Sequence, residues 1–137
     1  MLKKGVKILI QRFIELGEGY SDIYELIELT KAQSNRVAFI LSLQTTIKNR
    51  EVVSLAVILK PTNPGNFQPI YLCREGIPNP EITPNKRFEM FEQLSEELGK
   101  KIITLQVKPS SFFPEKELFY QHLVGILRMN RYLPPLS

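Results

Sequence analysis

"VAFILSLQTTIKNREVVSLAVILK", residues 37–60, decides the fold. Val37, Phe39, Leu41 and Leu43 share one face and Ala38, Ile40, Ser42 and Gln44 the other. After Lys48-Asn49-Arg50 the same period of two returns in Val53, Leu55, Val57 and Leu59. A helix would place like residues three or four apart, so this spacing predicts two long antiparallel strands joined by a polar, exposed tip, "TTIKNREV". The hairpin belongs in the interior of a mixed sheet whose faces are covered by helices.

The next stretch, "KPTNPGNFQPIYLCREGIPNP" (residues 60–80), holds five of the ten prolines and the single cysteine. Proline cannot donate to a ladder, so the strand expected from Ile70 to Arg74 should lie at a sheet edge or begin at Pro69. The loops on either side should emerge at opposite ends of the sheet. Asn63, Gly65, Asn79 and the prolines suit turns.

Working outward, Ile8 to Leu16 reads as a first strand closed by Gly17-Glu18-Gly19. Asp22 and Glu25 then form an acidic capping box for a helix whose apolar stripe is Ile23, Leu26, Ile27 and Thr30. A second helix is expected over Lys86–Leu98, with Phe88, Phe91, Leu94 and Leu98 on one stripe and Gly99 as its stop. A fifth strand follows at Ile102–Lys108, with Ile103, Leu105 and Val107 opposed to Thr104 and Gln106. Pro114 should open a last helix that runs to about Arg131, before Pro134-Pro135. The expected class is α/β, in the order β-α-β-β-β-α-β-α, with a mixed sheet of about five strands. From Ser21 to Lys108 the order α-β-β-β-α-β resembles the core of the restriction-endonuclease-like superfamily.

Composition agrees with a single globular domain over residues 1–137. Hydrophobic residues make up 43% and charged residues 23%, which is ordinary for a folded soluble chain. One cysteine allows no internal disulfide. In "MLKKGVKILIQRFIEL" Lys7 and Arg12 interrupt the apolar run and no cleavage site follows, so a secretory signal is not read there. No stretch is long and apolar enough for a membrane span, and a cytoplasmic location is expected. The net charge of +4 comes from scattered bases accompanied by acids, as in "EMFEQLSEELGKK", and reads as a mixed-sign surface.

Several chemistries fail on the residues. A restriction-endonuclease-like site needs an acid-x-Lys triplet, because its metal needs carboxylates and its water must be oriented. Lys60 ends a strand, but Ile58 stands two places before it and "VAFILSLQTT" contains no acid. Gly17-x-Gly19 would place the third glycine of a dinucleotide turn at Asp22, and Glu18 and Asp22 would repel phosphate. There is no P-loop or kinase catalytic loop. Cys73 and His122 are each the only residue of their type, so no transition-metal centre is expected and both read as structural. No cofactor is expected.

One recurrence points to binding. "LKPT" (59–62) and "VKPS" (107–110) each place Lys-Pro-hydroxyl after a strand, and Ser110 and Ser111 precede the last helix, whose first amides lack partners. The candidate anion-binding residues are therefore Lys60, Thr62, Lys108, Ser110 and Ser111, and the case for an anionic ligand rests on them. Lys108 should approach the opening amides of that helix.

The stretches "IQRFIELGEGYSDIYELIEL", "LKPTNPGNFQPIYLCREGIPNP" and "FYQHLVGILRMNRYLPP" resemble a small family of uncharacterised cytosolic proteins from low-GC Gram-positive bacteria, some labelled methylthioribose kinase. The resemblance runs from Gln11 nearly to the end. It implies a bacterial cytoplasmic protein; the kinase label conflicts with the missing nucleotide motifs. The function expected is that of a non-enzymatic α/β binding or interaction module. The alternatives are an enzyme acting on a small anionic substrate near Lys60 or Lys108, and a nuclease-like fold that binds nucleic acid without cleavage. The partner is unknown and self-association stays open.

Overall fold

A computed structural model describes residues 10–17, 22–61 and 67–134. The elements are β1 (Ile10–Gly17), α1 (Asp22–Ala32), β2 (Val37–Ile47), β3 (Arg50–Leu59), β4 (Phe67–Pro78), α2 (Lys86–Leu98), β5 (Ile102–Gln106) and α3 (Lys116–Met129), with short 3-10 turns at Ser34–Arg36 and Ser110–Phe112. This is the expected α/β order, and the five strands form one mixed sheet ordered β1-β4-β3-β2-β5.

The hairpin is interior, as its two-faced hydrophobicity requires. β3 pairs antiparallel with β2 on one side and with β4 on the other, while β1 and β5 join the outside in parallel with β4 and β2. The turn needs only Lys48 and Asn49, both at positive φ (49° and 64°), as a type I′ hairpin turn requires. Arg50 already belongs to β3.

Two apolar layers enclose the sheet. On one face α1 and α2 pack Ile23, Leu26, Phe88, Phe91 and Leu94 onto Ile40, Val53, Leu55, Val57, Leu59, Tyr71 and Cys73. On the other, α3 sets Phe119, Leu123 and Leu127 on Leu41, Leu43, Ala56, Ile58, Ile70 and Leu72. The α1 stripe is the expected one, and α2 spans the expected residues. The Asn85 side chain caps α2 by accepting from the Phe88 amide, and Gly99 at φ 65° ends it.

Tertiary structure changes some expected boundaries. Val37 faces α1 and α2 rather than sharing a side with Phe39, Leu41 and Leu43, because a bulge at Ala38 sets Val37 opposite Leu59 and Phe39 opposite Ile58. β4 is neither an edge strand nor opened by Pro69: it begins at Phe67 and is flanked by β1 and β3. Pro69 fits because the β3 ladder starts one residue later, at Ile70. Asp22 is the first residue of α1 rather than a cap before it, and with Glu25 it places acids in the first turn, where the helix dipole favours them. β5 ends at Gln106, and Pro114 precedes α3, which starts at Lys116 because Phe113 and Glu115 are still extended. β1 reaches Gly17; its expected start at Ile8, the Gly17-x-Gly19 turn beyond Gly17, Asn63 and Gly65 lie outside the described residues.

Leu55 and Phe91 are fully buried in the layer under α1 and α2. Truncating Phe91 to Ala should cost about 3–5 kcal/mol through lost burial and the cavity left behind, read as a lower urea midpoint. Gly99→Ala, which keeps a left-handed backbone with a side chain, should cost only about 1 kcal/mol.

Candidate functional site

The residues singled out by the two Lys-Pro-hydroxyl stretches do not meet. Leu59 pairs with Val37 at the start of β2, whereas Gln106 pairs with Gln44 towards its end. Lys60 and Lys108 therefore lie towards opposite ends of the sheet. Lys60 is exposed; its amide donates to the Arg36 carbonyl and its own carbonyl accepts from the Arg36 guanidinium. Thr62 is outside the described residues. The Lys108 ammonium lies 4.4 Å from the centre of the Phe112 ring, and its backbone N–H donates to His122 Nε2. Ser111 is exposed. Ser110 already holds an anion from this chain: its amide and hydroxyl both donate to the Glu75 carboxylate, the amide at 2.7 Å.

Glu75 gets there through a bulge in β4. Val53 pairs with Ile77 and Leu55 with Cys73, so Arg74, Glu75 and Gly76 together face Ser54. Glu75 sits at φ 28° and its amide donates to the Ser54 hydroxyl. The extra residues send both Arg74 and Glu75 to the α3 face, where strict alternation would have separated them. Arg74 donates to Glu15 of β1 and to Ser110. Glu15 also accepts from Tyr120 and pairs with Lys116, whose Nζ lies 3.2 Å away. One carboxylate thus ties β1 to β4 and to the first turns of α3. Burial would raise the Glu15 pKa, but the hydrogen bonds from Tyr120, Arg74 and Lys116 outweigh it and hold the carboxyl below its usual range. Burial and the Glu15 charge together push the Tyr120 phenol well above its ordinary value.

From this tie a groove runs along α3. It is a cleft of about 770 Å³ between Ile10–Phe13 of β1 and one stripe of α3: Glu117, Tyr120, Gln121, Val124, Gly125 and Arg128. Its wall at Phe13 and Tyr120 is a stacked pair, 4.4 Å between centroids. Gly125 leaves open space, since a Cβ there would meet nothing within 4 Å. Arg128 is shared with a second hollow of about 700 Å³ bounded by Phe39, Gln68, Arg131, Tyr132 and Pro134. Here Arg128 donates to Gln11 and to the Pro134 carbonyl, and Gln11 donates to Gln68. Arg12 lies over the Phe67 ring at 4.4 Å. Among the described residues none of Arg12, Arg128 and Arg131 is paired with a carboxylate, and Glu117 is the one acid in the lining. Sequence reasoning missed this groove. Its only local signal was the basic, aromatic end of the last helix, "ILRMNRY".

Cys73 and His122 lie outside both hollows. The Cys73 thiol is buried and lies 3.4 Å from the Asp22 carbonyl, and its pKa is pushed up to about 12 by burial and then by the carboxylates of Asp22, Glu25 and Glu15, which disfavours the thiolate. His122 accepts from the Lys108 amide, and burial, followed by the Lys108 charge, lowers its pKa. Among the described residues no group of acids, His and Cys could hold a metal ion.

Two titrations follow. A His whose pKa is lowered on folding contributes stability that is present above its ordinary value of 6.5 and lost as pH falls. His122→Gln, whose amide oxygen accepts without titrating, should flatten the decline in stability between about pH 7 and pH 5. Glu15 adds stability that is present above 4.5 and lost on further acidification. Glu15→Gln should cost about 2–3 kcal/mol near neutrality, and this gap from the wild type should narrow as pH falls below 4.5. An unchanged gap would show that the carboxylate is not the stabilising form.

No curated protein and no solved structure matches the chain. A family model does match, over residues 9–133, which takes in every element from β1 to α3 together with the tie and the groove. By that match the chain belongs to the family described as domain of unknown function DUF7147.

Proposed function

We propose that this protein is a non-enzymatic binding module, acting as one domain over residues 1–137, that takes an anionic ligand in the groove between β1 and α3. The observation that carries this reading is the set of three guanidiniums, Arg12, Arg128 and Arg131, lining adjoining hollows without a carboxylate partner among the described residues. Arg74, by contrast, is neutralised by Glu15. An arginine fork left open at a concave surface is a ready receptor for phosphate or carboxylate oxygens.

The groove is a better receptor than the Lys108 corner for a simple reason. At Ser110 an incoming anion would have to displace Glu75 from both the amide and the hydroxyl. Lys60 lies apart from that corner, so it and Lys108 would be separate contacts. The methylthioribose kinase label borne by some members of the resembling family does not fit a sequence with neither a P-loop nor a kinase catalytic loop. A bacterial, cytoplasmic setting is part of the proposal. Among the described residues no helix is long and apolar enough to cross a membrane.

Titration calorimetry with inorganic pyrophosphate provides the test. Arg128→Gln should weaken binding by about tenfold, the loss expected for a charge-assisted contact, while Lys48→Ala on the hairpin tip should leave it unchanged. Loss at Lys108→Ala but not at Arg128→Gln would move the anion site to the Ser110 corner. Equal losses at Arg128 and Lys48 would reduce the effect to diffuse charge and end the proposal.

A further inference from the structure

Helices α2 and α3 end in the same hydrogen-bonded motif with different residues at its strained position. After α2 the Gly99 amide donates to the Glu96 carbonyl and the Lys100 amide to Ser95; after α3 the Arg131 amide donates to Arg128 and the Tyr132 amide to Leu127. In both, the left-handed residue has φ 65°. Glycine adopts that conformation without the clash a Cβ makes, and α2 uses it. At the end of α3 the position is held by an arginine, exposed at the second hollow of the groove. A side chain kept where the backbone favours none is an outlier that points to a function for the side chain.

Its surroundings narrow the ligand. From Glu117 to Arg128 the groove-lining stripe covers twelve residues of helix, roughly 17 Å at 1.5 Å rise per step, and the second hollow, lined by Arg128 and Arg131, adjoins it. That is longer than a phosphate or a pyrophosphate. Its lining holds both guanidiniums and rings: Phe13, Tyr120 and Arg128 in the cleft, and Phe39, Tyr132, Arg128 and Arg131 in the second hollow. Phosphates at intervals together with unpaired base faces are what a single nucleic-acid strand presents, whereas a duplex hides its base faces in the stack.

We infer that the groove along α3 is a binding site for a short single strand of nucleic acid, with Arg128 and Arg131 on its phosphates. The inference rests on the anion-binding reading of the same groove and adds the identity of the ligand. The test is fluorescence anisotropy with a labelled oligouridylate of about eight nucleotides, run beside a duplex of equal length and beside inorganic pyrophosphate. The strand should bind more tightly than either, with a slope of log affinity against log salt of about −1.4, as two phosphate contacts give. Arg131→Gly is the decisive variant: the protein should become more resistant to urea, because the strained residue is relieved, and should bind the strand several-fold more weakly. Opposite signs in the two measurements exclude unfolding as the cause of the loss. Arg131→Gly that binds as the wild type does, or a duplex that binds as well as the single strand, overturns the inference. Tight pyrophosphate binding sensitive to Arg128→Gln, with no preference for the strand, overturns it while leaving the anion site standing. No binding of any of the three overturns both.

Discussion

Strand β3 is hydrogen-bonded to β2 along one edge and to β4 along the other, and every residue from Val53 to Leu59 is buried. Its backbone groups have no access to water and must be satisfied by those two neighbours, which fixes the middle of the sheet. Val53, Leu55, Val57 and Leu59 anchor the layer under α1 and α2, and Ala56 and Ile58 the layer under α3. β1 and β5 then add to the outside in parallel, each reached through a connection that crosses a face of the sheet.

Around that frame the departures from regular pairing matter most. The bulge opposite Ser54 is the reason Arg74 and Glu75 both reach the α3 face, and from there they close a chain of contacts through Glu15, Ser110, Tyr120 and Lys116. This chain fixes the first turns of α3 against β1. Further along, α3 buries Phe119, Leu123 and Leu127 over the middle of the sheet and leaves its flank, with Gly125 and Arg128, facing the edge strand. The groove is thus the space between a helix held at one end and a sheet that twists beneath it. Its shape follows from packing; its charge follows from arginines that packing did not require.

A division of labour among the charged groups supports a binding role. Glu15, Arg74 and Glu75 are consumed by one another and by Ser110, so they act as a brace. Arg128 makes its contacts to amide and carbonyl oxygens, which orient a guanidinium without cancelling its charge. The brace fixes the first turns of α3 at one end of the groove, and the oriented cation lines it without a carboxylate partner among the described residues.

The sequence by itself determined what depends on neighbours a few residues apart. The stripe Ile23, Leu26, Ile27 and Thr30, the bounds of α2 at Lys86 and Leu98, its stop at Gly99, and the alternation of Val53 to Leu59 are all set by side-chain period and local backbone preference, and the structure carries them unchanged. At the Ser110 corner the amide and hydroxyl of Ser110 donate to Glu75, 35 residues away in the chain, a contact that no local pattern announces. Tertiary structure alone decided that Pro69 lies in a strand flanked on both sides, that Val37 turns to the opposite face from Phe39, and that Glu15 meets Tyr120 across 105 residues. Parallel pairing through a crossover and the placing of a bulge depend on which strands become neighbours. No period or turn residue encodes that choice; it is settled by the joint burial of both faces of β3.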